Sequence, residues 1–365
     1  MPGAGARRGR VVASAGGRPR RRRRVGHDRH RPIGSLASWR SGLHRLRGDR
    51  LHRAIEDRSQ GGRAVPGSPS ADRRVDASEG GGDIREGEPV VVESKVIVIT
   101  GASDGIGAAA AQRLHHHGHQ VVVIGRSTHK TETAARRIGA EHLVADFTRL
   151  NDVRELATNL NASYPRIDVL ANNAGGVFGD PAKTVDGFER TFQINHLAPF
   201  LLTRLLLPTL TASRATVIQT SSVGARTGEL DLDDVNHDRD FSPVRVYTTS
   251  KLANILFTKE LHRRHHAQGI SAAAFHPGNV ATSFGTGSAS RLMRFITTNR
   301  ITRSMMTTPE KGADQLVWLA ESRPGGDFES GVYYEKRKPA KRINPQALDT
   351  DLARRLWERS EQLLG

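Results

Sequence analysis

The stretch VIVITGASDGIGAAAAQRL, residues 96–114, decides the fold. Its first five residues are a continuous β-branched run, the pattern of a strand buried on both faces. GAAAAQRLHHHG at 107–118 is a helix-forming stretch closed by Gly118. Between them lies TGASDGIG, residues 100–107. In an open parallel sheet such a turn sits at the crevice where ligands bind, and the helix after it begins there with unpaired N–H groups and the positive end of its dipole. Gly101, Gly105 and Gly107 allow a tight turn, a close approach of backbone to a pyrophosphate, and close packing of helix on strand. The spacing G-x-x-x-G-x-G departs from the ordinary dinucleotide G-x-G-x-x-G, and a glycine trio alone also fits a plain turn. Its position between strand and helix favours a phosphate cradle.

Outward from this turn the chain alternates strand and helix. QVVVIG (120–125), EHLVAD (141–146), IDVLANNAG (167–175), ATVIQTSS (215–222) and GISAAAFHPG (269–278) read as further strands. TETAARRIG (131–139), NDVRELATNLNASY (151–164) and VYTTSKLANILFTKELHRRH (246–265) read as helices between them. Alternation of this kind predicts an α/β fold, a doubly wound parallel sheet (Rossmann fold) in a single domain, with no internal repeat and no second core. The expected boundaries are a disordered Arg-rich segment at 1–93, the sheet domain at 94–340 and a helical C-terminal extension at 341–365.

The front segment differs in kind from the rest. Residues 1–94 hold 21 Arg, no Lys and 11 acidic residues, and Trp39 is their only aromatic. With RPRRRRR at 18–24 and many Gly, Ser and Pro, this segment cannot bury enough apolar surface to offset chain entropy. Three readings stay open for it: a tail or misassigned start outside the working protein, an arm for anionic surfaces, or a targeting peptide. The dearth of aromatics speaks against base stacking, so no nucleic acid is expected on the folded domain. Cysteine is absent, which excludes thiolate catalysis and Cys-based zinc sites. The histidine clusters HHHGH and HRRHH read as solvated helix faces, and no metal is expected. No run of about 18 uncharged apolar residues exists, so no transmembrane segment is expected, and the location expected is cytoplasmic.

The choice of nucleotide turns on the residue about 20 positions past the glycine turn, where an acid suits the ribose 2′-hydroxyl of NAD and an arginine the 2′-phosphate of NADP. Arg126 stands there, which favours NADP(H), although an arginine after a strand is also a common solvated charge. Further on, Tyr247 and Lys251 in YTTSK lie one helical turn apart, so both can share a helix face. A neighbouring ammonium stabilises a phenolate, and such a tyrosine can exchange a proton with a substrate oxygen. Taken alone, such a pair is more often a core edge beside a snorkelling cation.

Other pieces stand at the strand ends in a fixed order: Asp146 in VADF, NNAG at 172–175, Asn195 in QINHLAPF, Ser221 and Ser222 in QTSSVGA, and HPGNVAT at 276–282. With TGASDGIG and YTTSK, this set resembles the short-chain dehydrogenase/reductase family over residues 94–340. The 25 residues from Ser222 to Tyr247, the acidic insert ELDLDDVNHDRDFSPVRV between them, and the C-terminal SGVYYEKRKPAK are similar to its retinol dehydrogenase-like and protochlorophyllide reductase-like branch. The resemblance implies an NADP(H)-dependent oxidoreductase acting on CH–OH donors, and it assigns roles. Tyr247 would donate or accept the proton, Lys251 would hold the nicotinamide ribose and lower the tyrosine pKa, and Ser222 would bond the substrate oxygen, with Ser221 as the fallback. Asn195 would carry a water relay behind Lys251. Cofactor contacts would come from Gly101, Ser103, Asp104, Gly105, Ile106 and Gly107 in the turn, and from Asp146 and Phe147 near the adenine. Asn173, Ala174 and Gly175 would line the groove, and Pro277, Gly278, Val280 and Thr282 the nicotinamide side. Family members often form dimers or tetramers through their long helices, and LANILFTKEL (252–261) offers an apolar face for a homodimer or homotetramer. The mixed Gly, Ser and apolar stretch from Ser283 to Thr308 reads as a lid over a small apolar alcohol or carbonyl substrate. The competing reading from another class is a non-catalytic nucleotide-binding sensor or scaffold that uses the basic arm.

Overall fold

The computed structural model describes residues 93–278 and 307–365. The expectations for the basic segment, for Val280 and Thr282, and for nearly all of the lid lie outside the described residues. VIVIT forms β1 (Val96–Thr100), its last four residues buried, and the glycine turn leads into α1 (Gly105–His116). β2 (Gln120–Gly125), α2 (Thr128–Ile138), β3 (Glu141–Val144), α3 (Leu150–Ser163) and β4 (Val169–Asn172) complete the first half. The second half contains α4 (Ala198–Ala212), β5 (Thr216–Thr220), α5 (Pro243–His265), β6 (Ser271–His276) and α6 (Pro309–Glu321). It ends with β7 (Val332–Glu335), β8 (Lys338–Pro339) and α7 (Thr350–Leu364).

The strands form one sheet in the order β3-β2-β1-β4-β5-β6-β7-β8, parallel throughout except for the antiparallel pair β7–β8. The order reverses between β1 and β4, so the carboxyl ends of these two strands open the crevice where an α/β sheet binds its ligand. Alternate residues of β1 serve the two faces. Ile97 and Ile99 pack with α1, α2 and α6, whereas Val98 packs on the side that holds α3, α4, α5 and α7.

Besides α4 and α6, which the sequence reading did not name as helices, two features went unread. β7 and β8 form a hairpin whose tight turn is Lys336–Arg337, both in the left-handed region at φ 52° and 59°. The residues that normally announce such a turn are Asn and Gly, so a Lys-Arg pair conceals it. The second is the destination of the C-terminal helix. Trp357 stacks on Phe257 with ring centroids 5.6 Å apart and meets Phe200 edge-on at 4.9 Å. α7 therefore covers the apolar face of α5 that was expected to serve self-association. Among the described residues, no helix is long and apolar enough to cross a membrane.

Candidate active site

The glycine turn is built from backbone in contact with backbone. Gly101 lies in the left-handed region at φ 66°, and a Cβ there would stand 2.8 Å from the Cα of Ala174 at the end of β4. A Cβ on Gly107 would fall 2.5 Å from the Gly101 carbonyl oxygen and 2.9 Å from the Ala102 Cα. Only glycine lets α1 begin this close to β1. The Gly105 N–H is capped by Asp104 Oδ1 at 2.7 Å, and the helix start it opens, following the carboxyl end of β1, is a setting suited to an anionic group. Ser103 lies against Gly125 at the end of β2, which brings the exposed Arg126 alongside the turn. Arg126 has no ion pair among the described residues.

The reacting side chains come from the other half. Tyr247 and Lys251 share one face of α5, with the lysine Nζ 5.8 Å from the centre of the tyrosine ring. Tyr247 is hydrogen-bonded with Ser222, which follows β5. Lys251 is buried, 2% exposed, and donates to the Thr220 carbonyl at 2.9 Å. That burial pulls its ammonium down to about 7. Tyr247 is pushed up by burial, and its bond with Ser222 opposes this. The resemblance implies a tyrosine lowered by its lysine; here burial raises Tyr247 and Ser222 opposes that rise. Asn195 lies in a π-helical turn, Gln193–Leu197, which turns its side chain onto the β4 loop. Its Oδ1 accepts from the Gly176 N–H at 2.8 Å, and its Nδ2 donates to the Gly176 carbonyl at 3.0 Å and to Ser250 Oγ at 2.9 Å. A Cβ on Gly175 would stand 3.0 Å from Asn195 Oδ1 and 3.3 Å from Lys251 Nζ, so the two meet around that glycine.

Comparison with known proteins decides what this arrangement belongs to. The family model described as short chain dehydrogenase matches residues 95–291. The chain is a short-chain dehydrogenase/reductase. A Streptomyces protein carrying the name daunorubicin C-13 ketoreductase DnrU is 42% identical over 279 residues, 74% of this chain and 93% of that one. Human retinol dehydrogenase 13 is 36% identical over 287 residues, 75% of this chain and 86% of that one. A crystal structure of an uncharacterised protein from Mycobacterium paratuberculosis superposes with a TM-score of 0.59 at 34% identity, covering 74% of this chain and 92% of that one. This short-chain dehydrogenase/reductase is retinol dehydrogenase-like, an NAD(P)-dependent oxidoreductase acting on CH–OH donors.

Several expected residues of this dehydrogenase sit elsewhere in the work of the site. Ser221 is buried and donates to the Lys251 carbonyl at 2.7 Å, which anchors β5 to α5 and points away from Tyr247. Asn173 spends its amide across strand ends, donating to the Thr100 carbonyl at 3.0 Å and accepting from Thr220 Oγ1 at 3.3 Å. Asp146 accepts from the Thr148 N–H at 3.0 Å, and the carbonyl of buried Phe147 accepts from Gln193 at 3.1 Å. Asp104 caps α1, Ile106 packs beside it, and Pro277 and Gly278 end β6, with Gly278 at φ 88°. Ala174 has already appeared against Gly101.

Three residues escaped the sequence reading. Thr100 Oγ1 accepts from the N–H groups of Asn173 and Ala174, both at 3.0 Å, and so joins the two strand ends that flank the crevice. His276, kept mostly neutral by burial, accepts from the Val223 N–H at 3.2 Å. Tyr333 on β7 is buried with its hydroxyl pushed up by that burial, and Glu335 and Tyr247 are among its neighbours. Each lies inside a stretch already quoted, TGASDGIG, HPGNVAT or SGVYYEKRKPAK, without having been singled out there. His119 departs from the solvated reading of its cluster. It follows the end of α1, is 2% exposed, and accepts from the Lys95 N–H at 3.3 Å. Among the described residues, no three His, Asp or Glu side chains are grouped to hold a metal ion.

Proposed function

We propose that this dehydrogenase is NADP(H)-dependent and interconverts an apolar alcohol with its aldehyde or ketone, in the cytoplasm. The observation that carries the reading is the meeting of Ser222 and Tyr247 beside Gly224, where a Cβ would stand 3.5 Å from both, with buried Lys251 on the same helix face as the tyrosine, at the carboxyl end of the sheet that bears the glycine turn. Support for a dinucleotide comes from Gly101 and Gly107: a Cβ at either would strike the backbone of Ala174 or of Gly101 and Ala102, so only glycine lets α1 start this close to the end of β1, the arrangement a pyrophosphate uses. The exposed Arg126, next to the Gly125 that lies against Ser103, supports NADP, whose 2′-phosphate an arginine at this position suits. When bound, the nicotinamide supplies or removes the hydride. Tyr247 Oη gives a proton to the carbonyl oxygen in reduction and takes it back in oxidation, and Ser222 Oγ holds that same oxygen. Lys251 and Asn195, meeting around Gly175, connect the tyrosine with the interior and return its proton. The relatives' names, a daunorubicin ketoreductase and a retinol dehydrogenase, support an alcohol–carbonyl pair of this kind.

The test compares the full chain with Tyr247→Phe, following NADPH and NADH over a panel of apolar aldehydes and ketones and, in reverse, their alcohols. The expected result is turnover with NADPH and a loss of about 10²–10⁴ in kcat for the variant, while its cofactor Kd stays within about twofold of wild type. Tight NADPH binding with no turnover of any carbonyl or alcohol would sink this reading and leave the nucleotide sensor.

A further inference from the structure

Ser222 opens a single 3-10 turn, Val223–Thr227, which belongs to no strand. Its internal constraints are the Gly224 N–H bonded to Ser222 Oγ at 3.1 Å, the Ala225 N–H bonded to the Ser222 carbonyl at 3.0 Å, the Gly228 N–H bonded to the Ala225 carbonyl at 3.3 Å and Thr227 Oγ1 bonded to the Gly224 carbonyl at 3.2 Å. Further constraints come from residues distant in sequence. The Val223 N–H is held by His276 at 3.2 Å. Arg226 Nη2 reaches both carboxylate oxygens of Glu335, at 2.8 and 2.6 Å. Asn344, 7% exposed, shares its two amide hydrogens among three carbonyls: Gly228 at 2.6 Å, Ala225 at 3.0 Å and Arg226 at 3.3 Å. Its own Oδ1 accepts from the Gln346 N–H at 2.9 Å, and Gln346 in turn bonds the Leu230 N–H at 2.9 Å.

The opposite side of the turn presses on α5. A Cβ on Gly228 would fall 2.4 Å from the Thr248 carbonyl oxygen, and one on Gly224 would stand 3.5 Å from Tyr247 Cε1 and from Ser222 Oγ. The serine turn is thus clamped between the helix that carries Tyr247 and residues 335–346. Glu335 and Asn344 both lie beyond the family match, which ends at residue 291. We propose that Asn344, together with the Arg226–Glu335 pair, is a positioning residue that holds Ser222 against Tyr247, so that the C-terminal segment sets the geometry of the proton-transferring group. This inference rests on the reading of Tyr247 as the proton donor. Without the amide, three turn carbonyls lose a shared donor and the turn relaxes outward, which lengthens the Ser222–Tyr247 bond.

Among the described residues, the titratable groups facing Tyr247 are Lys251 on its own helix and Tyr333 on β7, with Glu335 beside Tyr333. They are unchanged in Ser222→Ala and Asn344→Ala, so a shift in Tyr247 there reports the serine. The experiment labels the full chain with 3-fluorotyrosine and follows the four tyrosine ¹⁹F signals against pH, with Tyr247→Phe assigning the one of interest. Ser222→Ala is expected to raise the Tyr247 midpoint by about one pH unit, the scale of a lost hydrogen bond to a charged oxygen. Asn344→Ala should shift it in the same direction, with kcat lower by about tenfold and the cofactor KM within about twofold. Glu335→Gln, a partly exposed isosteric change, guards against a folding failure in Asn344→Ala; its lost carboxylate by itself lowers the midpoint, so a small rise despite that loss reports the loosened serine. A Tyr247 midpoint unmoved in both Asn344→Ala and Glu335→Gln would overturn the proposal, as would a parallel loss of cofactor binding and kcat. The titration needs no substrate. A shifted midpoint in a protein that turns over nothing would therefore uphold the positioning and sink the reaction, and normal turnover with an unmoved midpoint would do the reverse.

Discussion

The two halves of the site are made differently. The phosphate half is contiguous: β1, the four turn residues 101–104 and the start of α1, with backbone fitted against backbone at Gly101 and Gly107. The reacting half is an assembly of side chains from β5, the turn after it, α5, the π-helical turn and, through Asn344 and Glu335, the C-terminal segment. The first tolerates almost no added atom. The second tolerates substitution but depends on distant residues for its alignment.

The largest expected effect tests the rigid half. In Gly107→Ala the new methyl meets a carbonyl oxygen and a Cα, and neither can move as a flexible side chain would. Overpacking of this kind costs about 2–3 kcal/mol, a Tm lower by roughly 5–10 °C in a domain of this size. Cofactor affinity measured by NADPH fluorescence should fall by more than about 100-fold, since close backbone approach is lost. The Tyr247 midpoint should stay near its wild-type value. A shift in it would show that the halves are one unit after all.

Lys251→Met tests the assembled half, and its expected effect on stability has the opposite sign. The lysine sits at about 7 in the folded chain against an ordinary 10.5, because burial disfavours the ammonium. Below pH 7 the native state must keep the charge buried while the unfolded chain keeps it in water, so the penalty is complete. It shrinks as pH rises from about 7 towards 10.5, where both states lose the proton. Methionine fills a similar volume, and the Thr220 carbonyl keeps a donor in Asn254 at 3.3 Å. The variant should therefore be more stable than wild type by on the order of a few kcal/mol at pH 6, and by less at pH 10, while kcat falls by about 10² or more. Thermal melts at the two pH values check it. A variant less stable at pH 6 than wild type would show that the lysine supports the fold as well as the chemistry.

The same division governs what could be read from the sequence. The turn was legible because strand, glycines and helix are neighbours in the chain, and the conformation each glycine must adopt is local. Tyr247 and Lys251 were legible because one helical turn fixes their shared face. The clamp on Ser222 was not, because Asn344 looks like any loop asparagine until the chain returns beneath Ala225 and Gly228. β7 and β8 were hidden by their Lys-Arg turn, and His119 by the three histidines before it, although it lies just past the helix end and turns inward. The face LANILFTKEL was read correctly as apolar. Its occupant was not read, since the pairing of Trp357 with Phe257 spans 100 residues of chain.

The smallest expected effect belongs to Arg126, the one exposed side chain on which the proposed NADP preference rests. It stands beside the turn and has no side-chain hydrogen bond or ion pair among the described residues, so Arg126→Ala should leave Tm within about 1 °C, as surface changes away from structural contacts do. The affinity for NADPH should fall by about tenfold, the value of one exposed charge-assisted hydrogen bond to a phosphate. The affinity for NADH, which lacks that phosphate, should hold. Titrations at low and high salt sharpen the outcome, because an exposed ion pair is screened over a Debye length of about 10 Å at 0.1 M. The NADPH advantage of wild type should narrow as salt rises, and the variant should show little dependence. Equal losses for both cofactors would mean that Arg126 supports the turn itself, and the phosphate half would then owe part of its shape to a side chain.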